Sequence, residues 1–467
     1  MQEYFKKLGV TATASLPLDT PATLDQKIAA AHAAQASWAG LPRAKRIAML
    51  KAYAATLLQH KETLGAIIHQ DAGKTLKEAI TEVEGAAAII EKTTQDTSNE
   101  WADIGTIQRL RERTPAGVIC VITSFNFPIA VAHWTLAPAL LAGNALIWKP
   151  SEKTPWVALA CVELFRQQLP EYAQLMQVAI GGGDIGQALV ADERIDMISA
   201  TGSVGMGKAI KRTLAQKQNN AVPPILELGG NNGVIISEKN TPELLDRAVT
   251  SLLNSFLGSA GQRCTNTRRL FVQEKVYAAV IRIFTEKLSA LLEKDALFEP
   301  ANAYGYGPLV DAAIRDRFLG ALSEIVKQGG KIHFGKAAQG LAVQPAIAEI
   351  PTQIPQMHDE IFAPLLYVVP YRDFKDAVAM VNAPENAGLV NGIYTQDANE
   401  AEIFAQANQA GHTVINMPKG TGTPANGLGF GGNKASGEGE ILGPDPERPF
   451  TRGVYRRIVQ DSSVPMA

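Results

Sequence analysis

Cysteine is scarce in this chain: three residues in 467, Cys120, Cys161 and Cys264. An odd number without repeated spacing excludes a disulfide framework and a zinc knuckle, and it suits a reducing cytoplasm. Charge imbalance is lacking too. The formal net charge of −2 gives no electrostatic footprint for nucleic acid, so no nucleic-acid partner is expected. No uninterrupted apolar run reaches the ~18 residues of a membrane span, so no membrane partner is expected either. The opening MQEYFKKLGV has no apolar core of the length a signal peptide carries. No fixed-period repeat is visible. What remains is ordinary globular usage, 46% hydrophobic and 19% charged, in a chain long enough for two large domains.

The text is helical at first. LDQKIAAAHAAQASWAG and AKRIAMLKAYAATLLQHKETLGAIIHQDAGK place apolar residues three and four apart. From GVICVITSFNFP onward, short β-rich runs alternate with helices such as PWVALACVELFRQQL. That rhythm predicts an open α/β sheet of parallel strands, which binds ligands beyond the carboxyl ends of its strands. A second α/β unit follows Glu227, with helices over 244–257 and 275–292 and strands at FAPLLYVVPY and GHTVINM.

Two glycine-rich stretches carry ambiguous signals. GGGDIG satisfies G-x-G-x-x-G at Gly181, Gly183 and Gly186, yet the nearest acid, Asp196, comes too early for a dinucleotide fingerprint. GSVGMGKA fits a phosphate loop up to Lys208, but Ala209 replaces the hydroxyl that would hold magnesium; a helix N-terminus near an anionic cofactor remains open. The stretch GSAGQRCTNTRR (258–269) is more specific. Unlike Cys120 and Cys161, Cys264 has small, polar and cationic neighbours, and Arg263, Arg268 and Arg269 are expected to lower its pKa; the alternative is a structural cysteine in a tight loop. Glu227, in LELGGNN, ends a β-like run: a buried acid, or a general base raised by burial. Asn126, in SFNFP, either caps a turn or aims its amide at a developing oxyanion. Lys149 and Glu152, in WKPSEKTP, form an exposed charged loop or a ribose grip.

Taken together, SFNFP, WKPSEKTP, TGSVGMGK, LELGGNN, GQRCT and EIFAP resemble the aldehyde dehydrogenase superfamily in order and spacing along nearly the whole chain. The wording around LELGGNN and GSAGQRCTNTRRLFV is similar to the antiquitin-like branch, which oxidises aminoadipate semialdehyde and related aldehydes. The resemblance implies an α/β fold with a Rossmann-type NAD-binding domain (1–96 and 116–227) and an α/β catalytic domain (228–417). It also implies oligomerisation elements at 97–115 and 449–467, and an ordered loop over 418–448 that closes the active site.

The same resemblance implies that Cys264 attacks the aldehyde and that Asn126 and the Cys264 amide hold the oxyanion. Hydride passes to NAD, rather than NADP, and Glu227 activates the water that hydrolyses the thioester, with Lys149 also in the catalytic set. Cofactor contacts implied are Ile122, Ser124, Phe125, Lys149, Ser151, Glu152, Gly182, Gly186, Ser203, Met206, Leu228, Gly229, Glu360 and Phe362. By resemblance GGGDIG walls the adenine pocket. Glu152 favours NAD, because a carboxylate there repels a 2′-phosphate. Arg263, Phe127 and Phe430 are implied substrate contacts, with Glu82 a lesser candidate; no metal is implied, and self-association as dimer or tetramer is. Two other readings stand beside this one. A coenzyme A-acylating enzyme is one, although such relatives commonly lack the glutamate at 227; a non-catalytic protein on the same fold is the other. The chain departs from the family where SGEGEIL places Glu440 and Ile441 at positions usually held by Arg and Glu, and where GTGTPANGLGFGG replaces the branch's usual loop.

Overall fold

The computed structural model describes residues 1–10, 15–95, 101–104, 107–218, 222–294, 296–300, 302–336, 340–385, 387–417, 429–443 and 445–459. Four helices, Pro21–Ala39, Arg43–Gln59, Lys61–Ala72 and Leu76–Thr93, account for the early helical text. Thr20 and Thr75 cap two of them by accepting from the backbone amides of Thr23 and Glu78. A six-stranded sheet comes next, in the order Gly437–Glu438, Ile225–Glu227, Met197–Thr201, Val118–Ile122, Ala145–Lys149, Met176–Val178. Its five inner-chain strands are parallel, and their near-continuous burial explains why they read as apolar runs rather than alternating ones.

A seven-stranded sheet forms the second unit. It runs Lys331–Phe334, Ala346–Glu349, Leu365–Tyr371, Thr267–Gln273, Asn232–Ile236, Val390–Tyr394, His412–Ile415, parallel except at Lys331–Phe334. Each sheet has its own apolar core. A third, antiparallel sheet pairs Trp101–Ile104, Ile107–Pro115 and Thr451–Val459, joining segments over 300 residues apart. The expected elements over 97–115 and 449–467 meet here; residues 97–100, 105–106 and 460–467 lie outside the described residues, as does 418–428 of the expected closing loop.

The chain does not divide cleanly at position 227. Strand Gly437–Glu438 returns to pair antiparallel with Ile225–Glu227, and Phe430, Ile441 and Phe450 are buried in the first core. No described helix is long and apolar enough to cross a membrane.

Candidate active site

Five parallel strands of the first sheet end on one side, and the residues at or just beyond four of those ends line a cavity of about 1080 Å³: Ile122 to Phe127, Lys149 and Ser151 to Lys153, Thr201 to Ser203, and Glu227 to Gly229. The wall continues along one face of helix Gly183–Ala191 through Gly183, Gly186, Gln187 and Val190, the spacing of a helical stripe. GGGDIG is thus the start of a cavity-lining helix. Gly182 is its N-cap and stands outside the lining, whereas every other cofactor position implied by the resemblance is in it.

Several features fit a dinucleotide. Helix Val204–Leu214 opens onto the cavity with Ser203 as its cap, so its first amides offer a site for anionic groups. Glu360 is held by the Gly230 amide and lies 3.6 Å from Arg268, yet its Oε1 is buried without a hydrogen-bond partner among the described residues. Such an orphaned acceptor suits ligand hydroxyls. Gly229 leaves room for it: a Cβ there would stand 2.3 Å from Glu360 Oε2. Phe362, also in the wall, has φ 60°, a conformation rare outside glycine. Lys149 is buried and donates to the Pro150 carbonyl at 3.1 Å; burial depresses its pKa, with Glu152 opposing. Glu152 itself is exposed at the rim.

Cys264 lines the same cavity, and the local sequence explains how it is presented. Helix Pro242–Leu257 is followed by Ser259, Ala260 and Gly261 at φ 50°, 52° and 74°, three left-handed residues in succession. Gly261 is obligatory there, since a Cβ would lie 2.3 Å from the Ala363 carbonyl carbon. Asn232 donates to the Cys264 and Asn266 carbonyls at 2.8 and 2.7 Å. Gly230 lets the two motifs touch, because a Cβ there would meet the Cys264 oxygen at 2.3 Å. Gly230 of LELGGNN therefore serves a backbone contact with GQRCT, and Glu227 and Cys264 line one cavity.

The electrostatics differ from the sequence expectation. Burial pushes the Cys264 thiol up to about 12, with Glu360 and Glu227 acting in the same direction and Arg268 opposing. The three nearby arginines are occupied elsewhere. Arg263 bonds Glu78 at 2.8 Å and the Ser259 hydroxyl at 2.7 Å. Arg268 donates to the Ala363 and Arg263 carbonyls at 3.1 and 3.0 Å, and Arg269 to three backbone carbonyls in the second core. Adjacency in sequence did not translate into cations aimed at sulfur. Burial raises Cys120 and Cys161 as well, so the contrast with Cys264 lies in access: those two are fully buried, whereas Cys264 is partly exposed on the cavity.

Glu227 is 4% exposed, and neither carboxylate oxygen has a hydrogen-bond partner among the described residues. Burial raises its pKa well above the carboxylate range, and Glu440 adds to the rise. Ile441, the other departure in SGEGEIL, is buried and forms a two-hydrogen-bond bridge with Phe430 at 2.7 and 2.9 Å, which seats that ring in the cavity wall. Phe430 packs on Trp134 and His412 at centroid distances of 5.4 and 5.1 Å.

Asn126 donates its side-chain amide to the Gln262 carbonyl at 2.9 Å, and its Oδ1 accepts from the Ser124 hydroxyl at 2.7 Å. The amide thus points at the backbone two residues before Cys264. Its loop is clamped by a buried ion pair that sequence reasoning missed. Lys74 bonds Glu82 at 2.7 Å and the Asn126 carbonyl at 2.9 Å, lying over the Phe127 ring, while the other Glu82 oxygen accepts from the Ile129 and Ala130 amides. Glu82, expected as a substrate contact, spends its carboxylate on this clamp. Glu78 and Glu82 stand four residues apart on helix Leu76–Thr93, with Lys74 just before its N-cap Thr75, and that four-residue spacing was the available signal. Among the described residues, no cluster of His, Cys, Asp and Glu could hold a metal.

Comparison with known proteins shows the family. The chain is 32% identical to aldehyde dehydrogenase family 7 member A1 of Pisum sativum, over 96% of its own length and 89% of that protein's. It is 29% identical to alpha-aminoadipic semialdehyde dehydrogenase of Bos taurus (96% and 83% covered) and 33% to N-succinylglutamate 5-semialdehyde dehydrogenase 1 of Caulobacter vibrioides (91% and 89%). Among solved structures, lactaldehyde dehydrogenase from Escherichia coli superposes with a TM-score of 0.86 at 27% identity, covering 95% and 92%. The NADP complex of glyceraldehyde-3-phosphate dehydrogenase from Methanocaldococcus jannaschii gives 0.88 at 25%, covering 97% of each chain. The aldehyde dehydrogenase family model matches residues 5–452, the span that builds both sheets and the cavity between them, and the chain belongs to that family of NAD(P)-dependent oxidoreductases, which convert an aldehyde to its acid.

Proposed function

We propose that Cys264 is the nucleophile, Glu227 the general base and Asn126 the oxyanion donor of an NAD-dependent aldehyde oxidation that ends in hydrolysis. The observation that carries this reading is the convergence of all three on one cavity, with both Glu227 oxygens unpartnered. Bound along the loops of the first sheet, the dinucleotide supplies the hydride acceptor. Ile122, Glu152, Ser203, Met206, Glu360 and Phe362 are positioned to hold it.

As sulfur adds to the aldehyde carbon, the thiol proton passes to the Glu227 carboxylate, which returns it to solvent before hydrolysis, and the carbonyl oxygen becomes an oxyanion. The Asn126 amide, which rests on the Gln262 carbonyl, needs only to exchange that partner for the new charge. Loss of hydride from carbon leaves a thioester on Cys264. Glu227, its pKa raised by burial, then takes a proton from water, which displaces the thiolate and releases the acid. Cys264→Ser should abolish turnover while leaving dinucleotide binding in place. Substantial oxidation by that variant overturns the assignment.

NAD is proposed over NADP because Glu152 stands at the cavity rim, where its carboxylate opposes a 2′-phosphate. kcat/KM with each cofactor tests this, and a clear NADP preference refutes it. We also propose that the three-stranded antiparallel sheet mediates self-association as dimer or tetramer, which light scattering would refute by finding a monomer. Three unpaired cysteines support a cytoplasmic location.

A further inference from the structure

Beyond Cys264 the cavity is walled by helices Leu76–Thr93 and Ala130–Leu141, which pack against each other. Gly85, Ala88, Ile89, Val131, Trp134 and Phe430 give this arm an apolar surface. Among the described residues, the charged groups on that wall or supporting it are Lys74, Glu78, Glu82 and Arg263, two of each sign. They are consumed in one network, in which Lys74 lies 2.7 Å from Glu82 and 3.7 Å from Glu78, and Arg263 lies 2.8 Å from Glu78. Lys74 and Glu82 hold the Asn126 loop. Arg263 and Glu78 form a closed triad with Ser259: Arg263 Nη2 donates to Glu78 Oε1 at 2.8 Å, Arg263 Nε to the Ser259 oxygen at 2.7 Å, and the Ser259 hydroxyl to Glu78 Oε1. The guanidinium lies 5.4 Å from the Phe127 ring centroid, and Glu78 is largely buried. The other cavity guanidinium, Arg317, belongs to the dinucleotide side, where it acts on Glu360.

This arrangement bears on which aldehyde fits. A substrate carboxylate reaching for Arg263 would have to break the triad and leave Glu78 only its longer 3.7 Å contact with Lys74, a cation already paired with Glu82. The arm would then hold one net negative charge in a water-poor wall. A zwitterionic tail would have to part the same three hydrogen bonds. An uncharged tail disturbs none of them and gains the apolar contacts.

We propose that Glu78 is a specificity-determining residue that cancels the charge of Arg263 and tunes the site to aldehydes with an uncharged apolar tail, medium-chain aliphatic or aromatic. This rests on the reading of Cys264 as the nucleophile. It assigns Arg263 a structural partner in place of a substrate carboxylate.

The test is a matched panel with the purified full-length protein: hexanal against adipic semialdehyde, benzaldehyde against para-carboxybenzaldehyde, and aminoadipic semialdehyde as the zwitterion. Wild type should show kcat/KM at least ~10-fold higher for the uncharged member of each pair. In Glu78→Gln, which frees Arg263 of its counter-charge, that ratio should move toward the acid by ~10-fold or more. Preference of the wild type for a carboxylate-bearing or zwitterionic aldehyde overturns the proposal even if the variant does not fold, as does an unchanged ratio in a folded Glu78→Gln. Absence of NADH or NADPH formation with every member refutes the catalytic reading as well. Turnover with the wrong preference leaves that reading intact, so the two failures are distinct.

Discussion

The resting enzyme should hold Cys264 as a thiol, and its alkylation gives a direct measure of that state. With the pKa pushed to about 12, roughly one sulfur in ten thousand is ionised at pH 8, against about one in ten for an ordinary thiol with pKa 9.0. The ratio is about a thousandfold, or roughly 4 kcal/mol at ~1.4 kcal/mol per tenfold. Iodoacetamide should therefore label Cys264 of the cofactor-free protein slowly. The rate should climb about tenfold per pH unit from about pH 7 to 10 without levelling, because only the thiolate reacts. Peptide mass spectrometry resolves the three cysteines, and the fully buried Cys120 and Cys161 report any unfolding. Glu360→Gln removes the next-largest cause after burial, so its curve should shift to lower pH. A wild-type plateau with a midpoint at or below about pH 9 would refute the reasoning: it would mean that the arginines govern the sulfur after all.

Three further outcomes are expected. Glu227→Gln should slow the first turnover of NADH and lower the steady state by ~100-fold or more, because acylation and deacylation both lose their proton acceptor; quenched-flow absorbance separates the phases. Lys74→Met leaves Glu82 buried and unpaired and the Asn126 loop unclamped, so kcat should fall ~10–100-fold with cofactor KM little changed; partial recovery in Lys74→Arg would mark positioning rather than a folding defect. Gly229→Ala puts a Cβ 2.3 Å from Glu360 Oε2, so it should raise the dinucleotide KM by ~10-fold, measurable by initial rates or equilibrium binding.

Much of this site was legible because chemistry and geometry share a signal. Strand ends announced the cleft, whereas the approach of Gly230 to the Cys264 carbonyl joins segments over 30 residues apart and has no local signal. Other features depend on long-range pairing that no local pattern encodes. The cations beside Cys264 looked like thiolate stabilisers until Glu78, far upstream, was found on Arg263. Glu82 read as a lesser candidate for substrate contact, whereas its carboxylate is satisfied by Lys74 and two amides of another loop. The apolar wall around Trp134 was invisible for a related reason. A helix buried on nearly all sides shows no stripe by which its cavity-facing residues stand out.

The strand Gly437–Glu438 has a consequence for biosynthesis. It completes the sheet edge beside Ile225–Glu227, and the Phe450 carbonyl accepts from the Ala116 amide and the Asn144 side chain deep in the first core. A nascent chain thus cannot finish its first sheet until Glu438 has left the ribosome. The strand that carries Glu227 gains its edge partner late, so fragments cut near position 227 carry a raw β-edge primed for aggregation.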